Sequence, residues 1–183
     1  MAKTAIFLAD GFEEIEALTV VDLLRRAGIE IVTASIMGRK SVTGSHKITV
    51  EADVLLDEVD FDGTDMIILP GGMPGTTNLG ACEPLKEKIQ DFYNNKKMLA
   101  AICAAPTVYG KMGLLDGVKA CCYPGCEVDL KGALVQTSQV TRDGIFITSR
   151  GMGTAIPFGL AIIEHFQGRD AASDMAKKIV YNC

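Results

Sequence analysis

The stretch MLAAICAAPTVYGKM, residues 98–112, decides the fold class of this chain. Met98–Ile102 is a short, uninterrupted apolar run, which is typical of a strand buried on both faces of a parallel sheet. A helical pattern follows at once over Ala104–Met112, and Cys103 stands at the junction. A strand that runs straight into a helix is the unit from which α/β sheets are built. The stretch therefore predicts an α/β protein with one cysteine on a strand-to-helix turn.

The rest of the chain repeats this alternation of short apolar runs and longer amphipathic segments. The predicted strands are Lys3–Ala9, Glu30–Ser35, Asp65–Leu69, Met98–Ile102, Val118–Cys122, Leu134–Val140 and Ile145–Ser149. The predicted helices are Glu13–Ala27, Pro84–Asn94, Ala104–Met112, Thr154–Phe166 and Ala171–Tyr181, with an antiparallel excursion at Val42–Leu56. In the first helix, the positions at helical spacing for a buried face are Ile15, Leu18, Val21 and Leu24. The pattern predicts a mostly parallel sheet with helices on both faces, in one domain over residues 1–183.

Composition excludes several classes of protein. Of the 183 residues, 48% are hydrophobic and 22% charged, which is ordinary usage for a globular domain with a core. The net charge is -5 and the basic residues are scattered, so neither nucleic acid nor an anionic membrane surface is an expected partner. No signal peptide is recognised, and no apolar run approaches the ~20 residues that span a bilayer. We expect a cytoplasmic protein.

Cysteine usage points to free thiols. The six cysteines are Cys82, Cys103, Cys121, Cys122, Cys126 and Cys183. Disulfides are uncommon in chains that are not exported. Cys121, Cys122 and Cys126 lack the paired C-x-x-C spacing of a zinc site and have no histidine nearby, so we predict no metal site.

Three segments follow predicted strand ends, where sites lie in parallel sheets: DGFEEIE (10–16), PGGMPG (70–75) and AICAAP (101–106). In the last, small residues after Cys103 allow the sharp turn of a nucleophile elbow. A position at a helix N-terminus favours thiolate over thiol. The alternative is a buried core cysteine, a common fate of a free thiol.

The other two segments supply candidate partners for this thiol. The backbone amide of a glycine in the Gly71-Gly72 pair, with that of Ala104, would form an oxyanion hole, although a plain turn explains the pair equally well. Glu13 and Glu14 lie in the first turn of the predicted first helix, where acidic side chains interact favourably with the helix dipole, so their presence has a purely structural explanation. Glu16 lies closer to the apolar face, and a buried carboxyl beside a thiol stays protonated and donates to the thiolate. Neither His46 nor His165 forms an evident dyad with Cys103.

In this order, the motifs resemble the ThiJ/PfpI superfamily, in the branch of the parkinsonism-associated protein deglycase. They are ADGFEEIEA (9–17), VDLLRRAGI (21–29), LPGG (69–72), AAICAAP (100–106) and SRGMGT (149–154). The resemblance implies a flavodoxin-like three-layer sandwich and a homodimer. It also implies that Cys103 is the nucleophile, that Glu16 is its protonated partner, and that Gly72 and Ala104 supply the oxyanion-hole amides.

The chain departs from that pattern at the periphery of the implied site. Tyr123 stands where the human member of the family has a histidine, and His46 stands where it has an arginine. Met152 replaces the usual proline of the SRGxGT motif. In the implied homodimer, His46 would lie near the partner's site.

The resemblance implies an enzyme that acts on α-oxoaldehydes, free or attached to protein, as a glutathione-independent glyoxalase or a deglycase. Such thiol chemistry needs neither a metal nor an organic cofactor. The alternative is an oxidation-sensing stress protein or redox chaperone that uses the same thiol without turnover. A peptidase ranks third, because a cysteine peptidase needs an imidazole base. The sequence does not separate the first two.

Overall fold

A seven-stranded sheet forms the centre of the protein in a computed structural model, which describes residues 2–181. In spatial order its strands are β10 (Val140–Asp143), β11 (Phe146–Ser149), β7 (Met98–Ile102), β6 (Met66–Leu69), β1 (Lys3–Leu8), β2 (Glu30–Ser35) and β5 (Val54–Leu55). All neighbouring pairs are parallel except the β10–β11 hairpin. The expected mostly parallel sheet is confirmed.

Helices cover both faces of this sheet. They are α1 (Glu14–Arg26), α2 (Gly75–Ala81), α3 (Glu83–Asn94), α4 (Pro106–Lys111), α5 (Ala155–Gln167) and α6 (Arg169–Lys178). Because strand residues alternate between faces, Ile6 and Leu8 join one apolar core with α1, α5 and α6. Ala5 and Phe7 join a second core with α2, α3 and α4. The result is the flavodoxin-like three-layer α/β sandwich.

Two strand predictions need correction. Val118–Cys122 and Leu134–Val140 are not strands of the main sheet; β8 (Lys119–Ala120) and β9 (Leu134–Val135) form a separate parallel pair. Leu134 is 53% exposed, so its apolar character gives no buried face to hold a longer strand. The excursion at 42–56 contains the antiparallel hairpin of β3 (Ser41–Thr43) and β4 (Thr49–Glu51), while β5 extends the main sheet beside β2.

The buried face of α1 is also rotated from the expected one. Val21 and Leu24 are buried, but Ile15 is 49% and Leu18 38% exposed. The helix instead turns Ala17 and Val20 inward, because it packs against both the sheet and α5. Two apolar side chains near the start of α1 are thereby left on the surface.

Some expectations are not tested by this architecture. The assignment of residues 1–183 to a single domain stays a prediction, and Cys183 lies outside the described residues. Within residues 2–181, no helix has both the length and the apolar character required to cross a bilayer.

Candidate active site

The three segments singled out in the sequence meet at one edge of the sheet. Strands β1, β6 and β7 are neighbours, with β6 in the middle, so their carboxyl ends lie side by side. Gly71, after β6, bridges the segments: its carbonyl accepts from the amide of Glu13 at 2.9 Å. Its own amide donates to Glu16 Oε2 at 2.9 Å. The edge therefore brings together residues that are far apart in the chain.

Cys103 occupies the sharp turn that its sequence position predicts. Its φ is 66°, in the left-handed region that costs a non-glycine residue roughly 1–2 kcal/mol. The turn is fixed on both sides, since the Cys103 amide donates to Ser149 O at 3.0 Å and its carbonyl accepts from the Tyr123 amide at 2.7 Å. The side chain is half-buried. This is the geometry of a nucleophile elbow rather than of an ordinary core cysteine.

The helix after this turn is shorter than expected. Instead of Ala104–Met112, α4 runs over Pro106–Lys111, so Cys103 precedes the first helical residue by three positions. The backbone amides of Ala104 and Gly72 face the thiol and act to lower its pKa. These are the two amides that the sequence assigned to an oxyanion hole.

Glu16 is the acidic partner of this thiol. It is 1% exposed and hydrogen-bonds to Cys103 and to the Gly71 amide. Burial raises the pKa of Glu16 to about 7, and the charge of Glu13 acts in the same direction. The carboxyl is thus protonated in a large fraction of molecules at neutral pH, as a buried group next to a thiol was expected to be.

The expected lowering of the thiol pKa needs correction. Burial raises the pKa of Cys103 to about 12, and the charge and hydrogen bond of Glu16 add to this effect. The amide hydrogen bonds of Ala104 and Gly72 act in the opposite direction. Two adjacent negative charges are unfavourable in so dry a site. A thiolate at Cys103 is therefore favoured only when Glu16 carries the proton, so the ionisations of the two residues are linked.

Steric crowding explains why both Gly71 and Gly72 are glycine. A Cβ on Gly71 would lie 2.5 Å from Glu16 Oε2 and 2.6 Å from Cys103 Cβ, so a side chain would separate the thiol from its acid. Gly72 has a φ of 90°, and a Cβ there would collide with the backbone after β1. The close approach of thiol and carboxyl thus depends on the absence of these side chains.

The structure places His46 against the start of α1, the helix that follows β1. The β3–β4 turn folds against the start of α1, where His46 Nδ1 lies 3.1 Å from Glu14 Oε2 and 3.5 Å from Glu13 Oε2. Burial opposes ionisation of Glu14, yet hydrogen bonds from its own backbone amide and that of His46 hold its pKa below the usual value. His46 therefore faces carboxylates rather than the thiol.

Tyr123 and His165 lie at opposite edges of the sheet. Tyr123 contacts the Cys103 turn through its backbone, and its side chain is 52% exposed. His165 lies on α5 beside Met98, the first residue of β7, and so at the opposite edge of the sheet from Cys103. His165 is therefore too remote to act as an imidazole base for the thiol, and Tyr123 carries no imidazole.

A cleft of about 430 Å³ is lined in part by Ala104, the residue after Cys103, and was missed by the sequence analysis. Ala104 and Met73 line this cleft, together with Thr76 of α2 and Val108 of α4. Thr76 Oγ1 is buried and has no hydrogen-bond partner within residues 2–181. The sequence pattern did not predict α2, which lines this cleft, because α2 is rich in glycine and threonine, which are poor helix formers.

The fold and this edge define a class of protein: a flavodoxin-like α/β sandwich with a cysteine on a strained turn, facing a buried carboxyl and two backbone amides. A model of the DJ-1/PfpI family matches residues 2–165. The chain belongs to the DJ-1/PfpI family, in its DJ-1 branch.

Several relatives are similar over nearly the whole chain. Protein dj-1beta of Drosophila melanogaster is 36% identical, with 98% of each chain covered. Protein DJ-1 homolog B of Arabidopsis thaliana is 37% identical over 97% of this chain, which spans 41% of that relative's length. A protein named deglycase from Pyrococcus abyssi is 32% identical, over 82% of this chain and 91% of its own.

The structural comparison agrees. Oxidized DJ-1 of Toxoplasma gondii superposes with a TM-score of 0.96 at 34% identity, and all of both chains is covered.

Proposed function

We propose that the protein is a cysteine-dependent glyoxalase or protein deglycase that acts on α-oxoaldehydes or their protein adducts without a cofactor. The observation that carries this proposal is the Cys103–Glu16 pair with the amides of Gly72 and Ala104 directed at the same sulfur. A nucleophile, a proton carrier and oxyanion donors are the groups that addition to a carbonyl requires. The family relationship supports it, and so does the Pyrococcus relative named deglycase.

In the first step, the proton of the Cys103 thiol passes to the Glu16 carboxylate, and the sulfur adds to the aldehyde carbon. The carbonyl π bond breaks, and the negative charge on oxygen is stabilised by the amides of Gly72 and Ala104. Return of the proton from Glu16 to this oxygen gives a neutral hemithioacetal. Glu16 is again a carboxylate and is ready to act as a base.

In the second step, Glu16 removes the hydrogen of the former aldehyde carbon as a proton, which yields an enediolate with its negative charge on the former ketone oxygen. Glu16 returns this proton to the neighbouring carbon while the hydroxyl proton of the first carbon moves to the neighbouring oxygen, which gives a 2-hydroxy thioester. Water then cleaves the thioester and regenerates the thiol. The net reaction adds one water to an α-oxoaldehyde and forms a 2-hydroxy acid, without an external oxidant or reductant.

The proposal includes a homodimer in the cytoplasm. Ile15, Leu18 and Ile48 are exposed apolar side chains at the start of α1 and on the adjoining hairpin, and a second copy would cover them. An isologous two-fold pair is the commonest arrangement of soluble oligomers. The described cysteines are free thiols, which suits a reducing compartment.

The test is production of lactate from methylglyoxal without glutathione, in a buffer that contains no amine. Wild type should turn over, and Cys103→Ala should lose activity to the level of the uncatalysed reaction. Cys82→Ala is the matched control, because Cys82 is also a half-buried free thiol but lies at the start of α3. Lactate formation by Cys103→Ala at the wild-type rate would rule out the proposal.

A second candidate is an oxidation sensor that uses the same thiol. The specific observation is the Glu16 carboxyl in hydrogen-bond contact with Cys103, since a carboxylic acid can donate to a sulfinate formed by peroxide. The oxidized state of the related Toxoplasma protein supports it. If peroxide converts Cys103 to a stable sulfinate in a protein that forms no lactate, this function replaces the first.

A further inference from the structure

A second group of functional side chains converges on the start of α1, outside the thiol site. Glu13 and Glu14 come from the beginning of the helix, and Ser45 and His46 come from the turn between β3 and β4. The two segments are joined by a backbone hydrogen bond from the Ser45 amide to Phe12 O at 2.8 Å. This group, called here the hairpin cluster, combines carboxylate, hydroxyl and imidazole ligands from distant parts of the chain.

Five of the six separations among the four atoms of the hairpin cluster match the spacing of ligands around a tetrahedral metal ion. His46 Nδ1 lies 3.1 Å from Glu14 Oε2 and 3.5 Å from Glu13 Oε2. Ser45 Oγ lies 3.0 Å from His46 Nδ1 and 3.2 and 3.3 Å from the same two oxygens. Ligands about 2.0–2.1 Å from a tetrahedral zinc are roughly 3.3–3.4 Å from one another. All five of these separations are close to that value.

The surroundings hold the ligand atoms in place. Glu14 Oε1 accepts from the backbone amides of His46 at 2.8 Å and Ile48 at 3.4 Å, which leaves Oε2 directed at the cluster. Such hydrogen bonds around the first ligands orient them for a metal. Gly44 allows the hairpin to close, because a Cβ there would collide with the Glu14 carboxyl.

The charge and exposure of the cluster also suit a cation. Over the described part of the chain, His46 is the one basic residue within ion-pair distance of Glu13 or Glu14. The side chains of Glu13 and Glu14 are 14% and 5% exposed, whereas that of His46 is 69% exposed. Within one chain the cluster is therefore closed on the protein side and open on the side of the histidine, which is the side that faces the partner in the proposed homodimer.

We propose that the hairpin cluster binds a divalent transition metal, with zinc as the best fit, through Glu13, Glu14 and His46 and with Ser45 at the fourth corner. Zinc accepts mixed nitrogen and oxygen ligands in four-fold coordination, whereas calcium and magnesium require six or more oxygens. Cys103 is not among the ligands, so this site is separate from the thiol. The ion would fasten the β3–β4 hairpin to the helix that carries Glu16.

The experiment replaces zinc with Co²⁺ and measures visible absorption, because tetrahedral Co²⁺ absorbs much more strongly than octahedral Co²⁺. Wild type should bind one equivalent with tetrahedral ligand-field bands and without the sulfur-to-cobalt charge-transfer band that thiolate ligands produce. Competition with a zinc-binding dye then gives the zinc affinity. His46→Ala and Glu13→Gln should each weaken it by at least roughly 10–100-fold, the scale of lost metal-site contacts.

His165→Ala is the matched control, since it removes the other histidine from an exposed position on α5, and it should bind as wild type does. Circular dichroism of each variant checks that a lost affinity does not reflect unfolding. A charge-transfer band from sulfur would place the metal on the cysteines and overturn the proposal. Equal zinc affinity in wild type, His46→Ala and Glu13→Gln would overturn it as well.

Discussion

Replacement of Glu16 by glutamine should stabilise the protein while it removes activity. The folded-state pKa of Glu16 is about 7, above the ordinary value of 4.5, because the carboxyl is buried. At roughly 1.4 kcal/mol per pKa unit, ionised Glu16 costs the folded state about 3 kcal/mol. Since the pKa is raised, the group favours folding below 4.5, and this contribution is lost as the pH rises through 7. The neutral amide of a glutamine at this position does not ionise, so the stability of the variant does not fall over this pH range.

The assay is chemical denaturation of wild type and Glu16→Gln at two pH values. By linkage, the variant should be more stable by about 3 kcal/mol at pH 8 but by only about 1 kcal/mol at pH 5. Glu83→Gln is the control, because Glu83 is also a first-turn acid but its side chain is 72% exposed. It should show no such difference between the two pH values.

The catalytic activity of Glu16→Gln should fall although its stability rises. Glutamine accepts and donates hydrogen bonds but does not carry the transferable proton, so methylglyoxal turnover should fall by roughly 10²-fold or more. Alkylation of Cys103 should not fall, because the negative charge that raises the thiol pKa is gone. A variant that is no more stable than wild type at pH 8, or that retains full turnover, would refute the pairing of Cys103 with Glu16.

Two further changes test the geometry of the site and the surface of α1. Gly71→Ala should cost roughly 1–3 kcal/mol of stability and reduce turnover, because its Cβ would lie between Glu16 and Cys103. Gly153→Ala is the control and should leave turnover unchanged, because a Cβ there meets nothing within 4 Å. Normal turnover by Gly71→Ala would contradict this account. Light scattering at micromolar concentration should give the mass of a dimer, and Leu18→Glu should give a monomer; a monomeric wild type would remove the dimer from the proposal.

The sequence predicts the central sheet well because its strands carry strong local signals. Met98–Ile102 and Glu30–Ser35 are strands with the expected bounds. The prediction of short strands is wrong because they carry no strong local signal. Leu134–Val135 belongs to a two-residue strand whose partner, Lys119–Ala120, is just as short, so pairing rather than pattern defines it.

The same contrast holds for the site. The positions of Cys103 and Glu16 follow from local rules, namely the strand-to-helix turn and the spacing in a helix. The pKa of the thiol does not, because it depends on burial and on the charge of a residue from another segment. The hairpin cluster was also beyond the sequence, since the contact of His46 with Glu14 joins residues 32 positions apart.

The left-handed backbone at Cys103 has a consequence for how this position can change over generations. Glycine adopts such a φ without steric cost, so Cys103→Gly would relieve roughly 1–2 kcal/mol of strain. Random substitution under selection for folding alone would favour glycine here. A cysteine that persists at this position is therefore maintained by selection on what its sulfur does, and lineages that no longer need this chemistry should drift toward glycine.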